Sequence, residues 1–521
     1  MQKSIVLIIR DGWGINPNPD HNAVRNAHTP NVDSLLKKYP NTILEASGTS
    51  VGLPEGYQGS SEVGHLNMGA GRIVEQEMTR IMHDIQDGSF FNSPILQKAI
   101  NNVLNNNSTL HVMGLVQDEG VHAHQDHLFA IMKHAKEQGV RKLYIHFFAD
   151  GRDSAPKSAL NYIRTLKEKI KEYGIGEIAT IMGRYYSMDR GKNWQITDIA
   201  YNALTKAQGK RIDNIEDAIQ DAYKGKTPNG KDMFDEYIPP LIVGNFDGIK
   251  DGDSVIHFNY RQDRAIQLTM AFVEDDYAGE RWKELDIVYC GFTRYYDTFL
   301  SNIIEPMDDR GGMDKLLGQV LSEKGLGQIR LSETQKFRHV TSFFNGKRIE
   351  PYPHEEQIEI AGIYDPATFA DHPAMNTYDV TEEAVKRIDS DEFSLMVLNV
   401  ANCDMVGHTG DYEAAKKAVE VVDECVSAVV EKALTKNKIV LITADHGNAE
   451  EMIDYKTNLP KTSHTKNPVE FIYIAEDYEN VKLIKKGVLS DIAPTILYIL
   501  GIEQPVEMTS RNLITVHAAF R

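Results

Sequence analysis

Carboxylates and imidazoles recur just after apolar segments of the sequence. The set has three aspartates and three histidines: Asp11, Asp404, His408, Asp445, His446 and His464. Mixed oxygen and nitrogen ligands suit Mn²⁺, Zn²⁺ or Fe better than Ca²⁺ or a structural zinc finger. Any one of these residues could instead cap a helix or lie in the core. Their coincidence at three predicted strand ends favours a metal site.

One serine lies in a glycine-rich stretch that could present a nucleophile. Ser61 occupies the string GSSEVGH at residues 59–65. A serine in this setting is by default a helix cap or a turn residue. It becomes a nucleophile when an activator is present, and a metal ion that lowers the hydroxyl pKa is one such activator.

Basic residues follow a second set of apolar segments and predict an anion pocket. They are Arg152, Arg184, Arg190, Arg261 and Arg264, with Lys336 further along the chain. Guanidinium groups bind carboxylate and phosphate bidentately, so together they favour a small dianion or trianion, although each alone could be a solvated surface charge. Asp153, next to Arg152, could act as a general acid or base among these cations.

The string HAHQDH at residues 122–127 matches the metal-ligand motif of the metallo-β-lactamase superfamily. Taken alone it would indicate a zinc hydrolase. That alternative leaves Ser61 and the arginine-bearing loops unexplained, and it makes the downstream aspartates and histidines redundant. It is therefore the weaker interpretation.

The elements that must position these residues alternate between apolar runs and amphipathic segments, which indicates an α/β fold. Residues 4–9, 394–400 and 438–443 are continuous apolar runs typical of buried parallel strands, and 412–434 has helical periodicity. If the three strands share one sheet, their aspartates converge at one edge. The two ends of the chain would then form one discontinuous domain.

Between these ends, further predicted strands at residues 143–148, 178–182 and 254–258 precede the arginines and predict a second α/β domain. The junctions are expected near residues 75–80 and near the paired glycines within residues 308–312.

Composition excludes several functional classes. The chain has 521 residues and a net charge of −19, which disfavours binding to nucleic acid or to an anionic membrane. Its three cysteines form no CxxC pair, as expected in a reducing, cytoplasmic compartment. The apolar run at residues 5–9 is too short for a signal peptide, and no segment is long enough to span a bilayer.

Four motifs together resemble one family. They are DGWG at residues 11–14, GSSEVGHLNMGAGR at 59–72, DMVGHTG at 404–410 and ADHGNAE at 444–450. With them the chain resembles the cofactor-independent phosphoglycerate mutases of the alkaline phosphatase superfamily over essentially its whole length. The resemblance implies an alkaline-phosphatase-like doubly wound sheet formed by residues 1–76 plus 311–521, and an α/β transferase domain inserted at residues 77–310.

The resemblance also implies an activity. The family interconverts 3-phosphoglycerate and 2-phosphoglycerate in glycolysis and gluconeogenesis, through a phosphoserine and without 2,3-bisphosphoglycerate. It implies two divalent metal ions, with manganese expected here and magnesium, cobalt or zinc serving elsewhere in the family. A monomer is expected by the same resemblance.

Residue roles are carried over position by position. Ser61 matches the nucleophile. One metal site matches Asp11, Ser61, Asp445 and His446, and the other matches Asp404, His408 and His464. Substrate-holding positions match His122, Arg152, Asp153, Arg184, Arg190, Arg261 and Arg264. Asp153 matches the proton shuttle, and Lys336 matches a residue that bridges the domains and stabilises phosphoryl charge.

Two positions depart from the family pattern. Ser60 stands where Asn is usual, and Cys403 stands where Pro is common. The first bears on a local hydrogen bond near the nucleophile. The second places a thiol beside a metal ligand and suggests the hypothesis that activity is sensitive to oxidation.

Two rival functions remain at this stage. One is another enzyme on the same metal core, such as a phosphatase, a sulfatase or a phosphopentomutase, which the arginine set disfavours. The other is a non-catalytic sensor of small phosphorylated metabolites, which would bind substrate without turnover.

Overall fold

The computed structural model describes residues 3–228, 230–304, 313–390 and 392–517. The chain divides into two compact units, one formed by Met1–Gln76 with Met313–Arg521 and the other by Glu77–Gly312. The hinge expected at residues 308–312 lies outside the described residues.

The secondary structure alternates between strands and helices along the chain. The strands are β1 (Ile5–Arg10), β2 (Asn41–Glu45), β3 (Leu110–Leu115), β4 (Leu143–Ala149), β5 (Glu177–Gly183), β6 (Lys210–Ile212), β7 (Leu241–Val243), β8 (Ser254–His257), β9 (Val288–Gly291), β10 (Gln328–Glu333), β11 (Glu355–Ile360), β12 (Leu395–Val400), β13 (Ile439–Thr443), β14 (Val469–Ile474), β15 (Val481–Leu483), β16 (Lys486–Val488) and β17 (Ile514–His517). The helices are α1 (Ala23–Asn26), α2 (Pro30–Lys38), α3 (Ser61–Ala70), α4 (Glu77–Asp87), α5 (Pro94–Asn106), α6 (Gln125–Glu137), α7 (Ala159–Tyr173), α8 (Arg184–Ser187), α9 (Trp194–Lys206), α10 (Ile215–Ala222), α11 (Ile266–Val273), α12 (Leu317–Glu323), α13 (Thr334–Arg338), α14 (Thr377–Ser390), α15 (Asn402–Gly407), α16 (Tyr412–Thr435) and α17 (Ile492–Leu500).

The first unit contains an eight-stranded sheet in the order β11-β10-β12-β1-β13-β14-β2-β16. The five strands from β11 to β13 are parallel, and β1 lies between β12 and β13, with Ile5 aligned to both Leu395 and Ile439. All side chains of β1, β12 and β13 are buried. Apolar residues on both faces suit a sheet covered on both sides, so the α/β class predicted from these runs is confirmed.

Helix α16 connects β12 to β13 and covers the sheet. It begins where the Asp411 carboxylate accepts the N–H of Ala414, a capping bond that satisfies an otherwise unpaired donor. Val419, Val422 and Val426 recur at helical spacing and are buried in the core. The predicted helix at residues 412–434 therefore matches the observed element closely.

The second unit contains a seven-stranded sheet in the order β6-β7-β5-β4-β3-β8-β9. Strands β5, β4, β3, β8 and β9 run parallel, whereas β7 is antiparallel to β5. The loops that carry the arginines follow the carboxyl ends of β4, β5 and β8, which meet at one edge of this sheet.

None of the helices within the described residues combines the length and the apolar composition needed to cross a membrane.

Candidate active site

The ends of three neighbouring strands bring the aspartates of the first unit together. Asp11 follows β1, and its N–H donates to the Val400 carbonyl at the end of β12. Gly12 has a φ of +76°, and a Cβ placed on it would lie 2.7 Å from the Asp404 Cα. Only glycine allows the two chain segments to approach this closely. The sheet topology thus places Asp11 and Asp404 side by side.

Ser61 is the first residue of α3. The N-cap of this helix is Ser60, whose hydroxyl accepts the N–H of Val63. The serine that replaces the usual asparagine therefore caps α3. The Ser61 Oγ lies 2.9 Å from His446 Nε2 and 3.3 Å from Asp11 Oδ1. The hydroxyl is buried and points into the group of carboxylates and imidazoles.

Two groups of residues in this unit could each hold a metal ion. In the first, ligand atoms of Asp11, Asp445 and His446 lie within 4.8 Å of one another, and in the second the same holds for Asp404, His408 and His464. In the second group, Asp404 Oδ1 lies 3.2 Å from His408 Nε2 and 3.1 Å from His464 Nε2. These are the residues that the sequence marked as candidate ligands.

Backbone carbonyls fix the orientation of all three imidazoles. The Nδ1 atoms of His408, His464 and His446 lie 2.6, 2.9 and 3.2 Å from the carbonyls of Thr462, Gly59 and Gly447. A carbonyl can only accept, so each Nδ1 carries the proton and each Nε2 is directed inward.

The Nε2 atoms of these histidines, which face the interior of the cluster, need a positively charged group near them. Nε2 of His408 and Nε2 of His464 are 3.1 Å apart, and two neutral rings would place lone pairs against each other there. Burial lowers the pKa of His446 to about 4, which keeps that ring neutral. Burial also acts to lower the pKa of His408, but the Asp404 carboxylate outweighs it and raises the pKa. The donor set therefore fits a cation bound between these residues.

Lys336, in α13, supplies a positive charge to the same cluster. Its Nζ donates to Asp11 Oδ1, Ser61 Oγ and Asp404 Oδ2 at 2.7, 2.6 and 2.6 Å. Burial acts to lower the pKa of Lys336, but the charges of Asp11 and Asp404 outweigh burial and raise it. Burial and the neighbouring Asp445 raise the pKa of Asp11 in turn, so one lysine does not neutralise the cluster.

Several residues that sequence reasoning missed orient the candidate ligands. The Asn399 amide donates to Asp11 Oδ2 at 2.8 Å and lies 3.1 Å from His65 Nε2. The Asn448 amide donates to Asp404 Oδ1 at 2.9 Å. Asn448 lies inside the ADHGNAE string and Asn399 closes a predicted strand, but neither pattern shows which carboxylate the amide meets.

In the second unit, Arg184 is buried and binds two carboxylates. Its Nη1 lies 2.6 Å from Asp150 Oδ1 and 2.5 Å from Asp153 Oδ2. Asp150 also accepts the N–H groups of Arg152, Asp153 and Ser154, which holds the loop after β4 in a turn. His122 Nε2 is 3.9 Å from Asp153 Oδ2.

The remaining arginines lie around Asp263 and Glu236. Asp263 Oδ2 is 2.5 Å from Arg190 Nη1, and its Oδ1 is 3.2 Å from Arg261 Nε. Arg152 lies 3.5 Å from Glu236. Burial and the charges of Arg184, Arg190 and Arg152 lower the pKa of Arg264, which shows that the guanidinium groups lie close together. The structure thus brings every predicted arginine of this unit into one cluster, together with carboxylates that the sequence analysis did not single out.

The HAHQDH string does not form a metal group among the described residues. His122 faces Asp153 and Asp263, whereas the His124 side chain caps α6. His127 is buried beside the rings of Tyr260 and Phe292. The three histidines thus have different partners and form no ligand group among the described residues, although the rings of His124 and His127 are 5.8 Å apart. This argues against the zinc hydrolase alternative.

The Cys403 thiol is fully buried, and burial raises its pKa well above the usual range. Oxidants react with the exposed thiolate, so this environment protects the residue. The structure thus speaks against the hypothesis that Cys403 makes activity sensitive to oxidation.

Comparisons with known proteins agree on one family. A sequence profile described as "BPG-independent PGAM N-terminus" matches residues 81–297. The chain is 46% identical over 518 residues to the 2,3-bisphosphoglycerate-independent phosphoglycerate mutase of Clostridium perfringens (strain SM101 / Type A), covering 98% of this chain and 99% of the relative. The enzyme of the same name from Clostridium tetani (strain Massachusetts / E88) is 46% identical over 520 residues, with the same coverage. A crystal structure of Leishmania mexicana phosphoglycerate mutase at low cobalt concentration matches with a TM-score of 0.74 and 29% identity, over 99% of this chain and 98% of that one.

Proposed function

The chain belongs to the 2,3-bisphosphoglycerate-independent phosphoglycerate mutases, and we propose that it interconverts 3-phosphoglycerate and 2-phosphoglycerate with Ser61 carrying the phosphoryl group. It is an isomerase of glycolysis and gluconeogenesis that uses a phosphoserine intermediate and needs no bisphosphoglycerate. The observation that carries the assignment of Ser61 is its buried Oγ, which contacts Lys336, Asp11 and His446.

Metal dependence follows from the family and from the two groups of converging ligands. Asp11, Ser61, Asp445 and His446 would hold one ion, and Asp404, His408 and His464 the other. We propose Mn²⁺ as the metal because the family resemblance implies it, and mixed carboxylate and imidazole ligands are compatible with that ion. Bound metal ions would lower the pKa of the serine hydroxyl and neutralise phosphoryl oxygens.

The protein's own groups complete the chemistry. Ser61 reacts as the alkoxide, its proton having been lost to solvent before substrate binds: Oγ attacks phosphorus, the bond from phosphorus to the substrate oxygen breaks, and Oγ is released again as the alkoxide when the phosphoryl group returns. The Lys336 ammonium stabilises the negative charge on the phosphoryl oxygens. Asp153 gives a proton to the departing glycerate oxygen and takes one from the hydroxyl that later attacks phosphoserine. His122 and the arginines hold glycerate between these steps, so that the other hydroxyl can accept the phosphoryl group.

We assign these tasks to the two units. The unit formed by Met1–Gln76 and Met313–Arg521 acts as the metal-binding phosphatase domain, and Glu77–Gly312 acts as the transferase domain that binds glycerate. We further propose a cytoplasmic monomer, a location that three free, buried cysteines favour because thiols persist in reducing compartments.

A ³¹P NMR time course tests the proposal. Manganese-loaded protein is mixed with 3-phosphoglycerate in the absence of bisphosphoglycerate. We expect a 2-phosphoglycerate signal that grows to a fixed ratio, and no such signal with Ser61→Ala. Release of inorganic phosphate instead would indicate a phosphatase, and binding without turnover would indicate a sensor.

A further inference from the structure

Glu450 is a buried carboxylate for which the steps above have no role. It belongs to the loop after β13 that carries Asp445 and His446, and its side chain is fully inaccessible to solvent. Its nearest charged neighbour in the sequence, Glu451, is partly exposed, pairs with Lys461 and accepts from the amides of Asn16 and Asn467. Burying a carboxylate is costly unless donors surround it, so its partners indicate what it does.

The partners of Glu450 lie in two of the other segments that carry candidate ligands, those that follow Asp11 and His464. Glu450 Oε2 accepts the backbone N–H of Gly14 at 3.1 Å, three residues after Asp11. Glu450 Oε1 accepts the Thr465 hydroxyl, directly after His464, and the Asn467 amide at 2.9 Å. One side chain thus connects the segments that supply Asp11, His446 and His464.

The loops that contain Gly14 and Gly447 pack so closely against the Glu450 carboxylate that neither glycine has room for a side chain. A Cβ placed on Gly14 would lie 2.4 Å from Glu450 Cδ, and one placed on Gly447 would lie 2.3 Å from Glu450 Oε1. Contacts under 3.0 Å require something to move. The backbone on either side of the ligand residues therefore rests directly on Glu450.

The hydrogen-bonding pattern requires an acceptor at Oε2 of Glu450, and Oε1 accepts from two side chains. Gly14 contributes a backbone N–H that cannot reverse its role, and Asn467 offers its amide nitrogen. Burial raises the pKa of Glu450, and the hydrogen bonds from Thr465 and Asn467 counteract this shift. Glutamine has the same shape but no negative charge: its NH₂ would face the Gly14 N–H at the Oε2 position, and at the Oε1 position it would force Thr465 and Asn467 to reverse their hydrogen bonds.

We propose that Glu450 is a positioning residue that fixes the ligand-bearing loops and thereby sets the metal affinity of both ligand groups. It does not touch the metal or the substrate. This inference rests on the proposed metal sites and deepens them, because it identifies the side chain that holds ligands from three distant parts of the chain in register. Outer partners of metal ligands typically change metal affinity by about 10–100-fold when they are replaced.

The test is Mn²⁺ binding by calorimetry to metal-free full-length Glu450→Gln, together with the absorption spectrum of the Co²⁺-loaded protein. We expect both binding steps to weaken by about 10–100-fold and the Co²⁺ bands to shift, with an unchanged circular dichroism spectrum. The matched control is Glu431→Gln, which makes the same substitution at an exposed glutamate of α16, away from the ligand-bearing loops, and should bind Mn²⁺ like the wild type. Wild-type Mn²⁺ affinity and Co²⁺ bands in Glu450→Gln would overturn the proposal.

A second variant covers the case in which Glu450→Gln does not fold. Thr465→Val keeps the shape of residue 465 and removes one donor to Glu450, so Mn²⁺ affinity should fall by about tenfold at the group containing His464. Unchanged affinity in this variant would also contradict the proposal. Wild-type protein that fails to bind two Mn²⁺ ions would instead contradict the proposed metal sites, which keeps the two failures distinguishable.

Discussion

At the scale of single residues, the cluster around Ser61 has more buried negative charge than its lysine can balance. Asp11, Asp404 and Asp445 are all fully or almost fully buried, and Lys336 contacts two of them. Buried charges are tolerated when they are paired, and removing one partner from such a pair costs about 3–5 kcal/mol. The stability of this cluster should therefore depend on which cations are present.

Lys336→Met tests this dependence. We expect a large fall in melting temperature in EDTA, because Asp11 and Asp404 lose their one ammonium partner, and recovery of most of the loss when Mn²⁺ is added. The measurement is thermal unfolding with and without the metal. Lys416→Met, which removes a partly exposed lysine paired with the exposed Glu413, should have little effect in either condition. An equal loss with and without Mn²⁺ would show that Lys336 acts only through packing.

At the scale of elements, α3 contains glycines that oppose helix formation. Glycine costs about 1 kcal/mol relative to alanine within a helix, yet Gly64 and Gly69 both lie inside α3. A Cβ on Gly64 would lie 2.7 Å from the Asp445 carbonyl oxygen, and one on Gly69 would lie 1.9 Å from that of Phe344. These glycines lower the helix propensity of α3, which carries Ser61. They also allow its backbone to pack closely against the loop that carries Asp445.

Gly64→Ala should therefore weaken the site although it favours the helix. We expect the Asp445 loop to be displaced and Mn²⁺ affinity to fall by about tenfold or more, measured by calorimetry. Ser427→Ala in α16 makes a similar gain in helix propensity away from the site and should leave binding unchanged. Wild-type Mn²⁺ affinity in Gly64→Ala would mean that the Asp445 loop can move aside without weakening metal binding.

Some strands can be predicted from the sequence and others cannot. The apolar runs at residues 4–9, 394–400 and 438–443 correspond to β1, β12 and β13, because strands buried on both faces need apolar side chains throughout. Strand β10 cannot be predicted in this way, because the buried Arg330 interrupts the apolar run that marks a buried strand. That guanidinium lies 3.4 Å from Glu355 in β11, a partner that no local pattern indicates.

At the scale of the whole molecule, the candidate ligands could be identified from the sequence, but their buried partners could not. Asp404 and His408 stand in a recognisable motif, as do Asp445 and His446. Glu450 and Asn399 act through residues hundreds of positions away, such as Gly14 and Asp11, and these pairings exist only once the sheet has assembled. The role of Asp263 cannot be predicted from the sequence for a related reason, because a carboxylate flanked by arginines along the chain is typical of a solvated surface charge.

The tasks proposed for the two units lead to the last prediction. In the proposed mechanism, formation of phosphoserine requires Ser61 and the proposed metal ligands, whereas return of the phosphoryl group also requires glycerate to remain bound. Arg261→Gln removes one charged side chain from the cluster proposed to bind glycerate, and hydrogen bonds to charged groups contribute about 1.5–3 kcal/mol. Glycerate should then escape more often, and water should take the phosphoryl group from Ser61 in its place.

We therefore expect the ratio of inorganic phosphate to 2-phosphoglycerate, followed by ³¹P NMR, to rise by about tenfold or more in Arg261→Gln. Arg281→Gln, in the same unit but paired with Glu284 at 2.7 Å, should keep the wild-type ratio. A fall in both products with an unchanged ratio would mean that Arg261 acts before the phosphoryl group leaves the substrate. A changed ratio places its role after that step, where retaining glycerate is what separates a mutase from a phosphatase.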